Sequence, residues 1–196
     1  FQDYLIEGGW LLGNDSAADN NGIFHDYNSF LMTENGFGWI GLSNGQLLYI
    51  DDFSKTITPK TVGIAVSVPL TVSVENDLWL GGINNTKVSG ISSIDNSFSE
   101  INNFFETNYS GFFNADFYSS EIINNEVWFG SDGKVVDYNK RSDFFRTLGY
   151  EKGIPAQRIE FIEYLDDKIY IASKNDLIVL DIKSKKIINS KISNLI

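Results

Sequence analysis

Few side chains in this chain could carry chemistry, and their scarcity is informative. There is no Cys and a single His, His25. Cysteine nucleophiles, disulfides and thiolate metal sites are therefore excluded, and most zinc sites with them. A Ser-His-Asp hydrolase would have to be built on His25, which lies beside Asp26 in a strand-like alternation. A lone His there reads as a surface or hydrogen-bonded residue rather than a catalyst. Carboxylates are abundant, 26 acids against 15 bases, and a suitably spaced pair could hydrolyse a glycoside. The acids that align, however, recur: Asp26, Asp51, Asp95, Asp137 and Asp181 each close a similar short apolar run. Repetition argues for a turn or capping role. No Gly-rich loop of the phosphate-cradling type is present. The reading is a non-catalytic protein, with no cofactor expected.

Two segments stand out as candidate sites. Residues 104–118 hold seven aromatics among fifteen residues, interleaved with Asn, Asp and Glu. Flat rings with short polar side chains suit a sugar face or the apolar edge of a partner. Phe105, Tyr109, Phe112, Phe113 and Asp116 are the candidate binding residues there. The competing expectation is that four of the rings are strand residues packed in the core. The second segment, residues 14–22, is rich in Asn and Asp and could hold Ca²⁺. It lacks the dense alternating ligands and closing Glu of an EF-hand loop, so a solvated turn is expected and no metal is assigned.

Charge narrows the partners. The net charge is −11. That opposes nucleic-acid binding and docking on an anionic membrane surface, both of which need basic patches. Residues 1–100 hold 12 acids and three bases, while residues 101–196 hold 14 and 12. The longest nearly apolar stretch, residues 62–74, falls short of the roughly 20 residues a membrane helix requires. The chain begins at Phe1 with no basic leader, as a processed protein or an excised piece would.

The elements that must position these residues are set by a repeat. All four Trp share one motif: Trp10-Leu11-Leu12-Gly13, Trp39-Ile40-Gly41, Trp79-Leu80-Gly81 and Trp128-Phe129-Gly130. Tyr170-Ile171-Ala172 is a degenerate fifth copy. Successive spacings are 29, 40, 49 and 42 residues, near the roughly 40–50 expected of four-stranded propeller blades. A turn of Asn, Asp and Gly precedes each later aromatic, and a further turn and strand follow. Alternation and turn chemistry predict antiparallel strands throughout and no convincing helix. The expected fold is all-β, a β-propeller of about five four-stranded blades spanning residues 1–196 as one unit. It is either a small closed ring or a segment of a larger one. The first copy has room for only three strands. Because a blade cannot bury its two faces alone, Trp10, Trp39, Trp79, Trp128 and Tyr170 are expected in the core between blades.

The motif resembles the two-component regulator propeller repeat. Residues 32–51, Met-Thr-Glu-Asn-Gly-Phe-Gly-Trp-Ile-Gly-Leu-Ser-Asn-Gly through Tyr49-Ile50-Asp51, carry the resemblance best. Gly153-Ile154-Pro155-Ala156-Gln157-Arg158-Ile159 is similar to the Gly-Leu-Pro-x-x-x-Ile lead-in to that family's inner strand. The first and fifth copies depart from the pattern, and Trp10 has an extra residue before Gly13. The resemblance implies an exported sensor region of a bacterial hybrid histidine kinase of the Bacteroides type. It would be periplasmic or extracellular, recognising an oligosaccharide, a partner protein or other propeller domains, with a homodimer among the expected assemblies. A structural propeller of a surface or secretion complex is the alternative, and a propeller glycan hydrolase or lyase ranks third.

Overall fold

The computed structural model describes residues 5–14, 16–33, 35–61, 64–72, 77–84, 89–95, 100–104 and 115–190. Apart from two 3₁₀ turns, Glu7–Gly9 and Tyr150–Lys152, the described regular structure is β. Three short strands come first: β1 (Leu5–Ile6), β2 (Leu11–Leu12) and β3 (Ser16–Ala18). Four meandering sheets follow, each with its strands in chain order from an inner to an outer edge. The Trp39 blade is β4 (Phe24–Met32), β5 (Phe37–Leu42), β6 (Gln46–Asp51) and β7 (Thr56–Thr61). The Trp79 blade is β8 (Ile64–Val72), β9 (Leu78–Asn84), β10 (Ser89–Ile94) and β11 (Ile101–Phe104). The Trp128 blade is β12 (Phe117–Ile123), β13 (Glu126–Ser131), β14 (Val135–Asn139) and β15 (Phe144–Leu148). The Tyr170 blade is β16 (Ile159–Leu165), β17 (Lys168–Ser173), β18 (Leu177–Asp181) and β19 (Ile187–Ser190).

The inner strands β4, β8, β12 and β16 pack in succession, as the inner edges of propeller blades do. No comparable packing returns from β16 to β4, so the described strands form an arc. The Trp10 copy is built differently. Its β2 pairs with β3, and β3 with the first residues of β4, which then runs on without a break to become the inner strand of the Trp39 blade. With only 29 residues between Trp10 and Trp39, there is no chain for a separate outer strand and a crossing connection. The copy therefore supplies three short strands to a seven-stranded sheet, and β1 lies parallel to the outer strand β7.

One packing rule joins the copies. The repeated aromatic faces the following blade, and residues of the alternate parity in that blade's second strand face back toward it, as the period of 2 demands. Trp10 packs with Ile40 and Leu42, Trp39 with Leu78 and Leu80, Trp79 with Val127 and Phe129, and Trp128 with Ile169 and Ile171. Trp79 and Trp128 are 1% and 0% exposed. Tyr170, at the end of the series, is half-buried. The glycine of the motif is explained by a close approach. A Cβ on Gly130 would lie 2.3 Å from Ser119 Oγ and 2.6 Å from Ile159 Cγ2, where the next inner strand begins. Each inner strand shifts register opposite this part of the motif, between Tyr27 and Ser29, Val66 and Leu70, Phe117 and Ser119, and Ile159 and Phe161. The insertion, one residue in β4, β12 and β16 and two in β8, bends the strand against its neighbour. At the third of these, Ser119 Oγ donates to the Ile159 carbonyl at 3.0 Å, tying two inner strands together.

Two ion pairs clamp neighbouring blades. Lys140, in the outer turn of the Trp128 blade, meets Asp77 two residues before Trp79. Lys185, in the same turn of the Tyr170 blade, meets Glu126 two residues before Trp128. The pattern is a charged pair repeated one blade further along.

Candidate functional site

Each blade has two ends. The hairpin turns joining first to second and third to fourth strands lie at one. The turn joining second to third strands, and the crossing to the next blade, lie at the other. Phe105, Tyr109, Phe112 and Phe113 lie outside the described residues. Asp116 is described and exposed, one residue before β12. Of the flanking rings, Phe104 and Phe117 are core residues, 5% and 1% exposed, and Phe104 stacks on Trp79 with centroids 5.6 Å apart. Part of the aromatic surplus is blade packing, as the competing expectation held.

Beside Asp116 the crossing end carries a cluster whose members no motif or spacing groups together. The Tyr118 hydroxyl donates to Asp132 Oδ2 at 3.1 Å. The Arg158 guanidinium lies 3.9 Å above the Tyr118 ring, and its Nε is 3.8 Å from Asp132 Oδ1. Asp132 and Arg158 also form a backbone bridge, and Gly133 N donates to the Gln157 carbonyl at 2.9 Å. Burial, reinforced by Asp132, pushes the Tyr118 phenol above its ordinary range. Arg158 belongs to the Gly153–Ile159 segment, whose Ile154 and Ile159 are buried at 1% and 0% exposure. The lead-in thus plugs the core with its apolar residues and presents its Arg to the rim. The result is a rim of one phenol, one guanidinium and two carboxylates, able to exchange hydrogen bonds with a polar ligand.

The inner strands carry a second feature. Glu121 on β12 pairs in register with Trp128, and Glu163 on β16 with Tyr170. The equivalent positions in the earlier blades are Leu31 and Thr71. Burial, and then the neighbouring Glu163 charge, push the Glu121 carboxyl up to about 7. A raised carboxyl near a second carboxylate is what a glycoside hydrolase requires of its acid. Here the pair occupies a repeat position, and such a pair also arises wherever neighbouring blades share a residue type.

The recurring acids are turn caps, with two reassignments. Asp51 Oδ1 accepts from Phe53 N and Ser54 N at 2.9 and 3.2 Å, and Asp181 Oδ1 from Ser184 N at 2.7 Å. Asp95 Oδ1 accepts from Glu100 N at 2.7 Å. In the Trp128 blade Asn139 takes this place, accepting from Arg141 N and Ser142 N, each at 3.1 Å. Asp137 stands two residues earlier, opposite Trp128, and pairs with Arg146 Nε at 2.8 Å. In the first copy the cap is Asp19, accepting from Asn21 N and Ile23 N at 2.8 and 3.0 Å, while Asp26 lies within β4. His25 Nε2 is 3.4 Å from Asp19 Oδ2 and its ring is 5.9 Å from Trp10, a hydrogen-bonded His as expected. Asp19, being occupied in this way, does not stand free as a cation ligand. Among the described residues no three His, Asp or Glu side chains converge.

No family model matches the chain, and no curated protein matches it in sequence. Solved structures do match its fold. The extracellular domain of BT4673 from B. thetaiotaomicron, a candidate hybrid two component system, superposes with a TM-score of 0.68 at 15% identity, covering 94% of this chain and 28% of that one. A chain of the mitotic checkpoint complex matches with a TM-score of 0.68 at 12% identity, covering 90% and 57%. The computationally designed Ika4 protein matches with a TM-score of 0.58 at 11% identity, covering 80% and 91%. This chain thus spans about a quarter of the length of the bacterial extracellular domain it resembles. These likenesses share the β architecture and establish the fold.

Proposed function

We propose that this chain is a non-catalytic, extracytoplasmic, ligand- or partner-binding propeller segment of a two-component sensor. The observation that carries this reading is the match of 94% of the chain to the extracellular domain of a candidate two-component system, on a fold that the repeat of Trp motifs accounts for blade by blade. The ligand is a glycan, and it meets the crossing end of the Trp79 and Trp128 blades. The aromatic residues Phe105, Tyr109, Phe112 and Phe113 supply apolar faces there, and Asp116 with the Tyr118–Asp132–Arg158 rim supplies hydrogen bonds. Binding shifts the packing of the blades and passes a signal to domains beyond this segment. A homodimer or contacts with other propeller domains would serve that transmission.

An oligosaccharide panel titrated into the purified protein tests the reading. Tyr109→Ala and Phe112→Ala each weaken binding tenfold or more if the site is correct, and unchanged affinity in both removes it. A structural role in a surface or secretion complex is favoured instead by the exposed apolar residues of the last blade, Phe161 at 49% and Leu165 at 55%. Capture of a protein partner without any sugar response would support that alternative. The Glu121–Glu163 pair keeps a hydrolase as the third reading, and release of reducing sugar from a polysaccharide would establish it.

A further inference from the structure

A cavity of about 500 Å³ opens beside Trp10. We infer that it is a second binding site, for a neutral carbohydrate. The ligand class is shared with the reading above, but the site is not, and the assignment stands on the cavity's own chemistry. Its volume falls in the range of roughly 300–1,000 Å³ typical of small-ligand sites. Its lining includes Trp10, Asn20, Asn21, Gln46, Thr58 and Glu7.

Three observations point to a polyhydroxyl ligand. First, Trp10 lines the cavity while 6% exposed, and Gly8, at φ +71°, lies beside the Cδ1–Nε1 side of its indole without a side chain. Second, the amides are held with free donors. Gln46 Oε1 accepts from Asn44 Nδ2 at 2.6 Å and Gln46 N donates to Asn44 Oδ1 at 3.0 Å, which fixes the side chain and leaves its NH₂ group for the cavity. Asn20, Asn21 and Thr58 add donors and acceptors in equal measure. Third, the charges exclude anionic ligands. Asp19 is consumed by its backbone and His25 contacts. Together with the Glu7 carboxylate, it repels phosphate- or sulfate-bearing ligands, and among the described residues no base lines the cavity to receive one.

Isothermal titration of the 196-residue protein with neutral oligosaccharides built on glucose, mannose, galactose and xylose tests the site, with amide hydrogen exchange to map it. The expected result is saturable binding of at least one sugar, with protection in residues 7–10, 19–21 and 46–58. Gln46→Ala and Thr58→Val each weaken that binding tenfold or more, with near-ultraviolet circular dichroism verifying the fold of each. Three results overturn the inference. One is no saturable heat from any neutral sugar up to about 10 mM, a concentration at which even weak lectin-like sites respond. Another is protection confined to residues 101–118, which would leave the crossing-end reading standing. The last is binding of a sulfated analogue as tight as that of its neutral parent.

Discussion

Asp137 shows how a single residue departs from its repeat. It is 3% exposed and sits opposite Trp128, where burial lifts its carboxyl above the ordinary range despite the Arg146 guanidinium beside it. Removing one partner of such a pair strands the other charge, so Asp137→Ala is expected to cost about 2–4 kcal/mol in urea unfolding. Replacing both Asp137 and Arg146 by apolar residues should cost less than the single change. Glu121 offers a pH test. Its folded carboxyl titrates at about 7 against an ordinary 4.5. Below about 4.5 both states are protonated and the group costs nothing. As pH rises from there through 7, the unfolded chain releases its proton first, and stability is lost. Glu121→Gln should therefore leave stability unchanged near pH 4 and raise it near pH 8 by about 1–2 kcal/mol, after discounting the shift for partial exposure. A variant that destabilises equally at both pH values would show that the side chain contributes packing and no charge penalty.

At the scale of the element, the inner strand and the Trp strand decide how blades meet. Gly130 stands where a Cβ would overlap Ile159, so Gly130→Ala should be destabilising by about 2 kcal/mol or more, since core overpacking costs roughly 1–3 kcal/mol. Gly22, with nothing within 4 Å of its Cβ position but a φ of +76°, should lose less on the same substitution, through backbone strain alone. The Lys185–Glu126 clamp joins two blades, and Lys185 also lies 4.4 Å over the Trp128 ring. The pair is half-buried, so a double-mutant cycle on Lys185→Met and Glu126→Gln should return a coupling of about 1 kcal/mol, at the upper end of exposed pairs. A coupling indistinguishable from zero would mean that the clamp only decorates the apolar interface.

For the whole molecule, the packing rule leaves each end of the arc with a face that the rule does not cover. The last blade turns Tyr170, Phe161 and Leu165 outward, and the first turns out Leu11, Phe30 and Met32, at 68%, 61% and 42% exposure. Stability in such an array is a sum of blade and interface contributions. Substitutions in the Trp128 interface should therefore lower the unfolding midpoint more than equivalent ones on the Tyr170 face. An arc is also more extended than a globule. Small-angle scattering should give a radius of gyration above the roughly 16 Å expected of a compact 196-residue domain. A value at or below that would mean that the two ends meet.

Much of this was legible in the residues. The spacing of four Trp pointed to a repeat, and the alternating short runs and Asn, Asp and Gly turns around each Trp pointed to an all-β array of blades. That a blade cannot bury its two faces alone puts the repeated Trp in the expected core, and the short first interval leaves the first copy room for only three strands. What the tertiary structure decided lies where the repeat is imperfect or where partners are distant in sequence. Aligning on Asp misplaced the cap by two residues at Asp137, because the capping requirement is an acceptor oxygen and Asn139 supplies one equally well. Asp26 misled for a related reason: β4 is continuous through it, and the turn it was expected to close is capped by Asp19. The Tyr118–Asp132–Arg158 rim, the Glu121–Glu163 pair and the Trp10 cavity each assemble side chains from separate turns or blades. No spacing along the chain encodes such meetings, since they depend on which strand lies beside which once the sheets have packed.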